Sequence, residues 1–269
     1  MVTRSTSDLD GVIATSTLTM IIRHSEDVPD TTILPNPQLQ GREMIADSDN
    51  MGHTAYEVFI EAGETADLNS SEEKKLNHIY YCISGTGALK DPDGQSLKFE
   101  PHTMMALSSG MSAQLSAESR IRMYVIYCSD VQPSVDRVVF RSLAEIIGSE
   151  RNMHWGQGYS RRFLLKSDGF PISLTNTSVD SGCRAKLGYQ NHLESAHYIT
   201  GKVHYEWEDG AKMVESRVGP NSGTTYNMDQ HDKHIVLAKE ESSCLCIFFP
   251  ALTGLEKHDL SSGYSSYNI

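Results

Sequence analysis

The sequence predicts an all-β protein of two tandem barrels packed against one another as a pseudo-dimer. Three observations predict it. Short apolar stretches rich in Val, Ile, Tyr and Phe are separated by Gly, Pro, Asn and Asp, as strands are by their turns. Helical periodicity is weak, Ser142–Ile147 being the exception. The chain also repeats itself: Arg23 recurs as Arg141, His78 falls on Glu194 and Met105 on Tyr226, at offsets of 118, 116 and 121 residues. Near-constant offsets imply duplication of one unit with small loop changes.

In chain order, the polar segment 1–19 is expected to be a flexible tail and 20–130 the first barrel. Met20-Ile21-Ile22-Arg23 opens the first repeat as Val138-Val139-Phe140-Arg141 opens the second. Strands are expected at Tyr56–Ile60 and Met123–Tyr127, and again at Lys202–Trp207 and His234–Ala238. Asp93-Gly94 and Asp209-Gly210 sit between such runs, as hairpin turns do. Residues 131–137, with Pro133 and little apolar content, form the linker. The second barrel is expected over 138–260, and the Ser- and Tyr-rich 261–269 is a loose or docking tail.

Composition narrows the partners. With 269 residues, 39% apolar and 22% charged, the chain reads as soluble and globular. A formal charge of -12 argues against nucleic acid or an anionic membrane, both of which demand a basic face. No run is long enough to span a bilayer. Five cysteines without a CxxC pair, and no apolar leader, point to reduced thiols and a cytoplasmic location. Cys244 and Cys246 alternate in an apolar run and read as strand core rather than zinc ligands.

Chemistry concentrates in the second repeat. Asn191-His192-Leu193-Glu194, then Tyr226, His234 and the closing Ala251–His258, supply carboxylate, phenol and imidazole groups. Such a set makes a credible shell for one divalent metal with polar groups left to handle a small-molecule substrate. His197 and His231 read as structural or exposed, Ser71–Lys75 as a solvated loop, and Arg161 as a surface or salt-bridging residue.

Both repeats resemble cupins, double-stranded β-helix or jelly-roll barrels, and the second resembles the ectoine synthases from about Val138 to Tyr264. The resemblance rests on Ser160-Arg161-Arg162 with Lys166–Phe170, on Asn191–Glu194, on Tyr226 with Asp229–His234, and on Phe248–His258. The spacing from Glu194 to Gly201 fits the first cupin motif, and the missing His-x-His ahead of it is a trait of the ectoine synthase branch. Trp155 lies further from the Ser-Arg-Arg stretch than the family's tryptophan does.

The resemblance implies one metal, Fe2+ ahead of Zn2+ or Mn2+, held by Glu194, Tyr226 and His234. It implies closure of N-acetyl-2,4-diaminobutyrate, or a close analogue, to a cyclic amidine with loss of water. Arg162, Thr177, Tyr189, Phe248 and Trp155 would bind the substrate, with His192, Tyr226, Glu256 and His258 catalytic. In the first repeat His78, Met105 and Ala113 stand at the three ligand positions and Leu76 at that of His192, so 20–130 is expected to be a degenerate cupin that supports the working one. Two fused barrels can act as a monomer, with further self-assembly left open. Two other readings stay open: a different cyclase, dehydratase or lyase with the same metal shell, and a non-catalytic bicupin that binds a small molecule.

Overall fold

A computed structural model describes residues 20–69, 75–130, 135–229, 231–260 and 263–268. The expected tail 1–19, residues 71–74 of the expected loop, 131–134 of the linker and 261–262 of the C-terminal segment lie outside the described residues. The chain is almost entirely β, and each half contains one seven-stranded and one four-stranded antiparallel sheet.

In the second half the larger sheet runs, in spatial order, Ile21–His24, Thr224–Met228, Leu193–Thr200, Ser242–Phe249, Ser173–Val179, Tyr159–Leu164 and Asn152–His154. The smaller runs Arg184–Leu187, His234–Ala238, Val203–Trp207 and Lys212–Glu215. The first half has the same order with its own strands, and each pair of sheets closes on an apolar interior. Asp209 and Gly210 both adopt positive φ at the turn between Val203–Trp207 and Lys212–Glu215, as the hairpin reading requires. Among the described residues the one α-helix, Leu143–Ile147, begins where Ser142 and Glu145 form a capping box.

The sheets do not follow the repeat boundaries. Ile21–His24, at the start of the first repeat, pairs with Thr224–Met228 of the second. Val138–Ser142, at the start of the second, pairs with Thr103–Leu107 of the first. Units divided at 131–137 therefore each lack one edge strand, and the exchange buries two edges that would otherwise expose unpaired backbone groups. The repeated arginines lock it. Arg23 pairs with Asp49 across the halves, and Arg141 pairs with Asp168 at 2.8 Å in the other direction.

Strand register confirms how the repeats superpose. His78 lies opposite Leu107 and Tyr80 opposite Met105, as Glu194 lies opposite Met228 and Ala196 opposite Tyr226. Leu68 faces Ala113 as Leu187 faces His234. Because side chains alternate faces along a strand, this register places all three ligand positions on the interior of each barrel. The outer faces of the two large sheets meet in a third apolar cluster that includes Ile79, Tyr124 and Ile126 from one half and Phe163, Leu245 and Ile247 from the other. Each such side chain contributes roughly 1.5–3 kcal/mol by leaving water, so the two barrels form one folding unit.

One polar cluster interrupts that dry contact. Glu57, fully buried, accepts from Arg122 Nε at 2.8 Å and from Arg42 Nη1 at 3.0 Å. The same guanidiniums donate across the interface to the carbonyls of Gly219 and Asn221. His197 of the second half stacks on Tyr124 with ring centroids 4.3 Å apart. Although burial opposes its charge, His197 and Arg122 hold the Glu57 carboxyl at about 2.

Candidate active site in the second barrel

A narrow cavity lies inside the second barrel, lined by Trp155, Tyr189, Glu194, Tyr205, Phe248 and Tyr267 among others. An outer hollow of about 450 Å³ adjoins it and shares Trp155, Ser160, His258 and Tyr267. In the first barrel Tyr80 stands where the second has Ala196. The Tyr80 ring is fully buried in the apolar interior, and its hydroxyl meets His78 Nδ1 at 3.0 Å.

Glu194 sits on Leu193–Thr200 with its carboxyl turned into the cavity. Its Oε2 is buried without a hydrogen-bond partner, and burial beside Cys246 pushes its pKa well above the usual carboxylate range. His234 starts the strand His234–Ala238, and its Nδ1–H donates to the Asp232 carbonyl at 2.8 Å. A carbonyl can only accept, so Nδ1 carries the proton and Nε2 offers a bare lone pair, also buried and unpartnered. A ring held in this tautomer by a carbonyl is the usual arrangement of a ligating histidine. Each offers one buried, unpartnered donor atom of the kind a divalent cation takes.

Tyr226 does not join them. Its hydroxyl donates to the Val214 carbonyl at 3.2 Å, on the hairpin strand Lys212–Glu215, and of the three expected ligands only Glu194 lines the cavity, His234 and Tyr226 lying outside the lining. The phenols that do line it are Tyr189, Tyr198, Tyr205 and Tyr267. Among the described residues no three His, Cys, Asp or Glu side chains come together as a metal site.

The expected substrate-handling residues divide in two. Thr177, Tyr189, Phe248 and Trp155 line the cavity, and Trp155 Nε1 donates to the Ser178 carbonyl at 3.1 Å. Arg162 is buried and spends its fork on the carbonyls of Gly254 and Glu256, the latter at 2.8 Å. In this structure it braces the closing loop instead of presenting a free fork to a carboxylate. Glu256 is likewise committed, accepting from the Thr253 amide and hydroxyl and from the Gly254 amide. Burial opposes its charge, but those donors win and lower its pKa. A carboxylate so fully satisfied organises a loop and is a poor general base. His192 lies beside the cavity against Phe248 and donates from Nδ1 to the Pro250 carbonyl at 2.8 Å.

His258, unlike Glu256, faces the cavity with a ring nitrogen. It faces both hollows and packs on Tyr267 with ring centroids 4.4 Å apart. Its Nδ1 lies 3.0 Å from Ser265 Oγ and its Nε2 3.3 Å from the Tyr189 hydroxyl. Burial, then the Arg162 charge, lowers its pKa to about 4, so it is neutral at pH 7. The C-terminal segment is docked, not loose: Tyr267–Asn268 pairs with Lys257–His258, and Tyr267 roofs the cavity. Composition alone gave no sign of that role. Cys244 and Cys246 are buried free thiols in a strand, as read, and their Sγ atoms lie 3.5 Å apart on the cavity wall.

Four buried histidines make stability pH-dependent. His53, His78, His234 and His258 each sit at about 4, with burial the leading cause. A depressed histidine pKa means the unfolded chain binds the proton first, so stability is complete above about 6.5 and falls as pH drops toward 4. Each contributes a slope of up to about 1.4 kcal/mol per pH unit. The melting midpoint, scanned calorimetrically, is expected to drop steeply from pH 6.5 to 4.5; a flat profile there contradicts the assignment.

The ectoine synthase family profile matches residues 20–135 and again 138–268. The L-ectoine synthase of Desulfatibacillum aliphaticivorans is 37% identical over 129 residues, covering 47% of this chain and 96% of the relative. That of Halalkalibacterium halodurans is 34% identical over 123 residues, covering 45% and 92%. Bacillus subtilis oxalate decarboxylase, a protein with Mn(II) centres, superposes with a TM-score of 0.62 at 12% identity, over 87% of this chain and 78% of that one. At that identity the likeness shows the two-barrel cupin fold alone.

Proposed function

This chain belongs to the ectoine synthase family, and we propose that its second barrel is a metal-dependent cyclodehydratase. The proposed reaction closes N-acetyl-2,4-diaminobutyrate, or a close analogue, to a cyclic amidine with loss of water. The observation that carries this reading is the buried Glu194 carboxyl, one oxygen unpartnered, at the wall of an aromatic cavity.

The chain's own groups suit the task. Ring closure needs a neutral amine, and His258, unprotonated at pH 7, can accept a hydrogen bond from it through Nε2 and take its proton as the C–N bond forms and that nitrogen turns acidic, while Ser265 and Tyr267 fix the imidazole ring. Trp155, Tyr189, Phe248 and Tyr267 surround the reacting centre with apolar surface, which keeps bulk water out and favours cyclisation over hydrolysis. Glu194 and His234 would hold a divalent cation, which supplies Lewis-acid polarisation of the amide oxygen. Arg162 and Glu256 act one step back, holding the loop that carries His258 in place.

The test is incubation of the metal-reconstituted protein with the two mono-N-acetyl isomers of 2,4-diaminobutyrate, followed by proton NMR. One isomer is expected to give a cyclic amidine. A protein that holds metal yet converts neither isomer refutes the proposal.

A further inference from the structure

We propose that the mouth of the first barrel is a binding site for a small aliphatic ammonium compound, such as a diamine. Every residue that lines it belongs to the first half, so the proposal stands apart from the reading of the second barrel.

A hollow of about 570 Å³ opens at this mouth, lined by Glu43, Asp47, His53, Tyr56, Tyr127 and Ser129 among others. That volume suits a small molecule. Strand register shows how its charge differs from the second barrel's. Glu43 lies opposite Tyr56 as Arg162 lies opposite Thr175. Tyr56 in turn lies opposite Val125 as Thr175 lies opposite Cys246. Glu43 thus holds the place of Arg162. The short turn that follows is repeated too: Asp49 Oδ2 accepts the Ala46 amide at 2.9 Å, as Asp168 Oδ2 accepts the Leu165 amide at 2.9 Å. Asp47 therefore holds the place of Lys166. Two cationic positions of the second half are carboxylates in the first.

Those carboxylates have no counter-charge of their own. Among the described residues the lining includes no Lys or Arg, and the Glu43 carboxyl accepts from the Tyr56 hydroxyl at 3.2 Å. The guanidiniums nearby are committed elsewhere, Arg23 to Asp49 and Arg42 to Glu57. His53 adds no charge at pH 7, because burial lowers its pKa to about 4 and its ring nitrogens meet the Met51 carbonyl at 3.0 Å and Ser195 Oγ at 3.2 Å.

A buried hydroxyl independently points to a ligand. Tyr127, 1% exposed, lines the hollow, and its Oη makes no hydrogen bond among the described residues. The Tyr80 hydroxyl and the Asn36 backbone are near it, but the Tyr80 hydroxyl already donates to the Asn69 carbonyl at 3.2 Å. Tyr127 lies opposite His78 as Phe248 lies opposite Glu194, so the second barrel has a phenylalanine at this position. An orphaned buried hydroxyl costs about 1–3 kcal/mol. A ligand N–H donating to it removes that cost.

The lining favours an organic cation over a metal ion. Among the described residues no three His, Cys, Asp or Glu side chains gather to hold a metal. Tyr56 and Tyr127 instead pack edge to face with centroids 6.0 Å apart, and aromatic faces attract alkylammonium groups.

The experiment is isothermal titration calorimetry of the full-length protein with 1,4-diaminobutane at pH 7.5. Salt of 0.15 M screens diffuse attraction to a chain of charge -12. One site per chain is expected, with Kd below about 1 mM, and glutarate is expected not to bind there. Glu43→Gln should weaken the diamine at least about tenfold through loss of a charge-assisted contact. Asp47→Asn, at an exposed position, is expected to weaken it severalfold and serves if Glu43→Gln does not fold. Tyr127→Phe should weaken it roughly three- to tenfold without lowering the melting midpoint. No diamine heat in the parent protein overturns the proposal, as does affinity unchanged in Glu43→Gln and Asp47→Asn. So does calcium that displaces the diamine and binds more tightly, or a Tyr127→Phe variant that melts lower yet binds as before.

Discussion

Glu194→Ala is expected to lose turnover and bound metal together. Removing the anionic donor leaves His234 and one phenol, too little charge to hold a divalent cation in competition with water. With the cation goes several kcal/mol of transition-state stabilisation, a fall of roughly three orders of magnitude or more in kcat/KM. Metal content by mass spectrometry should drop to background in the same preparation. The fold should survive, because the side chain borders an existing cavity and its Oε2 makes no hydrogen bond.

In metal-free protein the same change is expected to stabilise at neutral and higher pH. Burial raises the Glu194 pKa, so the unfolded chain releases the proton first and wild-type stability falls as pH rises above the ordinary carboxylate range. The variant lacks that loss, and the two melting profiles should diverge with rising pH. Full metal content and full turnover in Glu194→Ala would remove this residue from the site.

Glu57→Ala is expected to destabilise the whole chain by about 3–5 kcal/mol, measured by urea unfolding. Its carboxylate is fully buried, and Arg122, 3% exposed, would be left charged in the contact between barrels. The cost lies in the orphaned guanidinium rather than the lost attraction, so Glu57→Leu combined with Arg122→Met should recover most of it. A loss under about 1 kcal/mol for the single change would show that water reaches this cluster. Since Arg122 and Arg42 also hold the carbonyls of Gly219 and Asn221, the damage should extend into the second barrel and appear as one cooperative transition.

How much of this was legible beforehand varies by residue. The strands, the Asp93-Gly94 and Asp209-Gly210 turns and the helix after Ser142 all have local causes: side-chain alternation, positive-φ tolerance and capping. The superposition of His78, Met105 and Ala113 on Glu194, Tyr226 and His234 was readable because near-constant offsets survive duplication, and strand register reproduces it.

By itself, the sequence determined the all-β class, the duplication, and which half kept its ionisable donors. Tertiary structure alone decided that the first strands of the two repeats trade sheets, that Tyr267 closes the cavity, and that Arg162, Glu256 and Tyr226 spend their polar atoms on nearby chain. The physical reason is one of range. Alternation, turn chemistry and repeat spacing act between residues near in sequence, whereas the partner of a guanidinium or a phenol is whichever backbone or carboxylate the packing of distant strands brings within 3 Å or so.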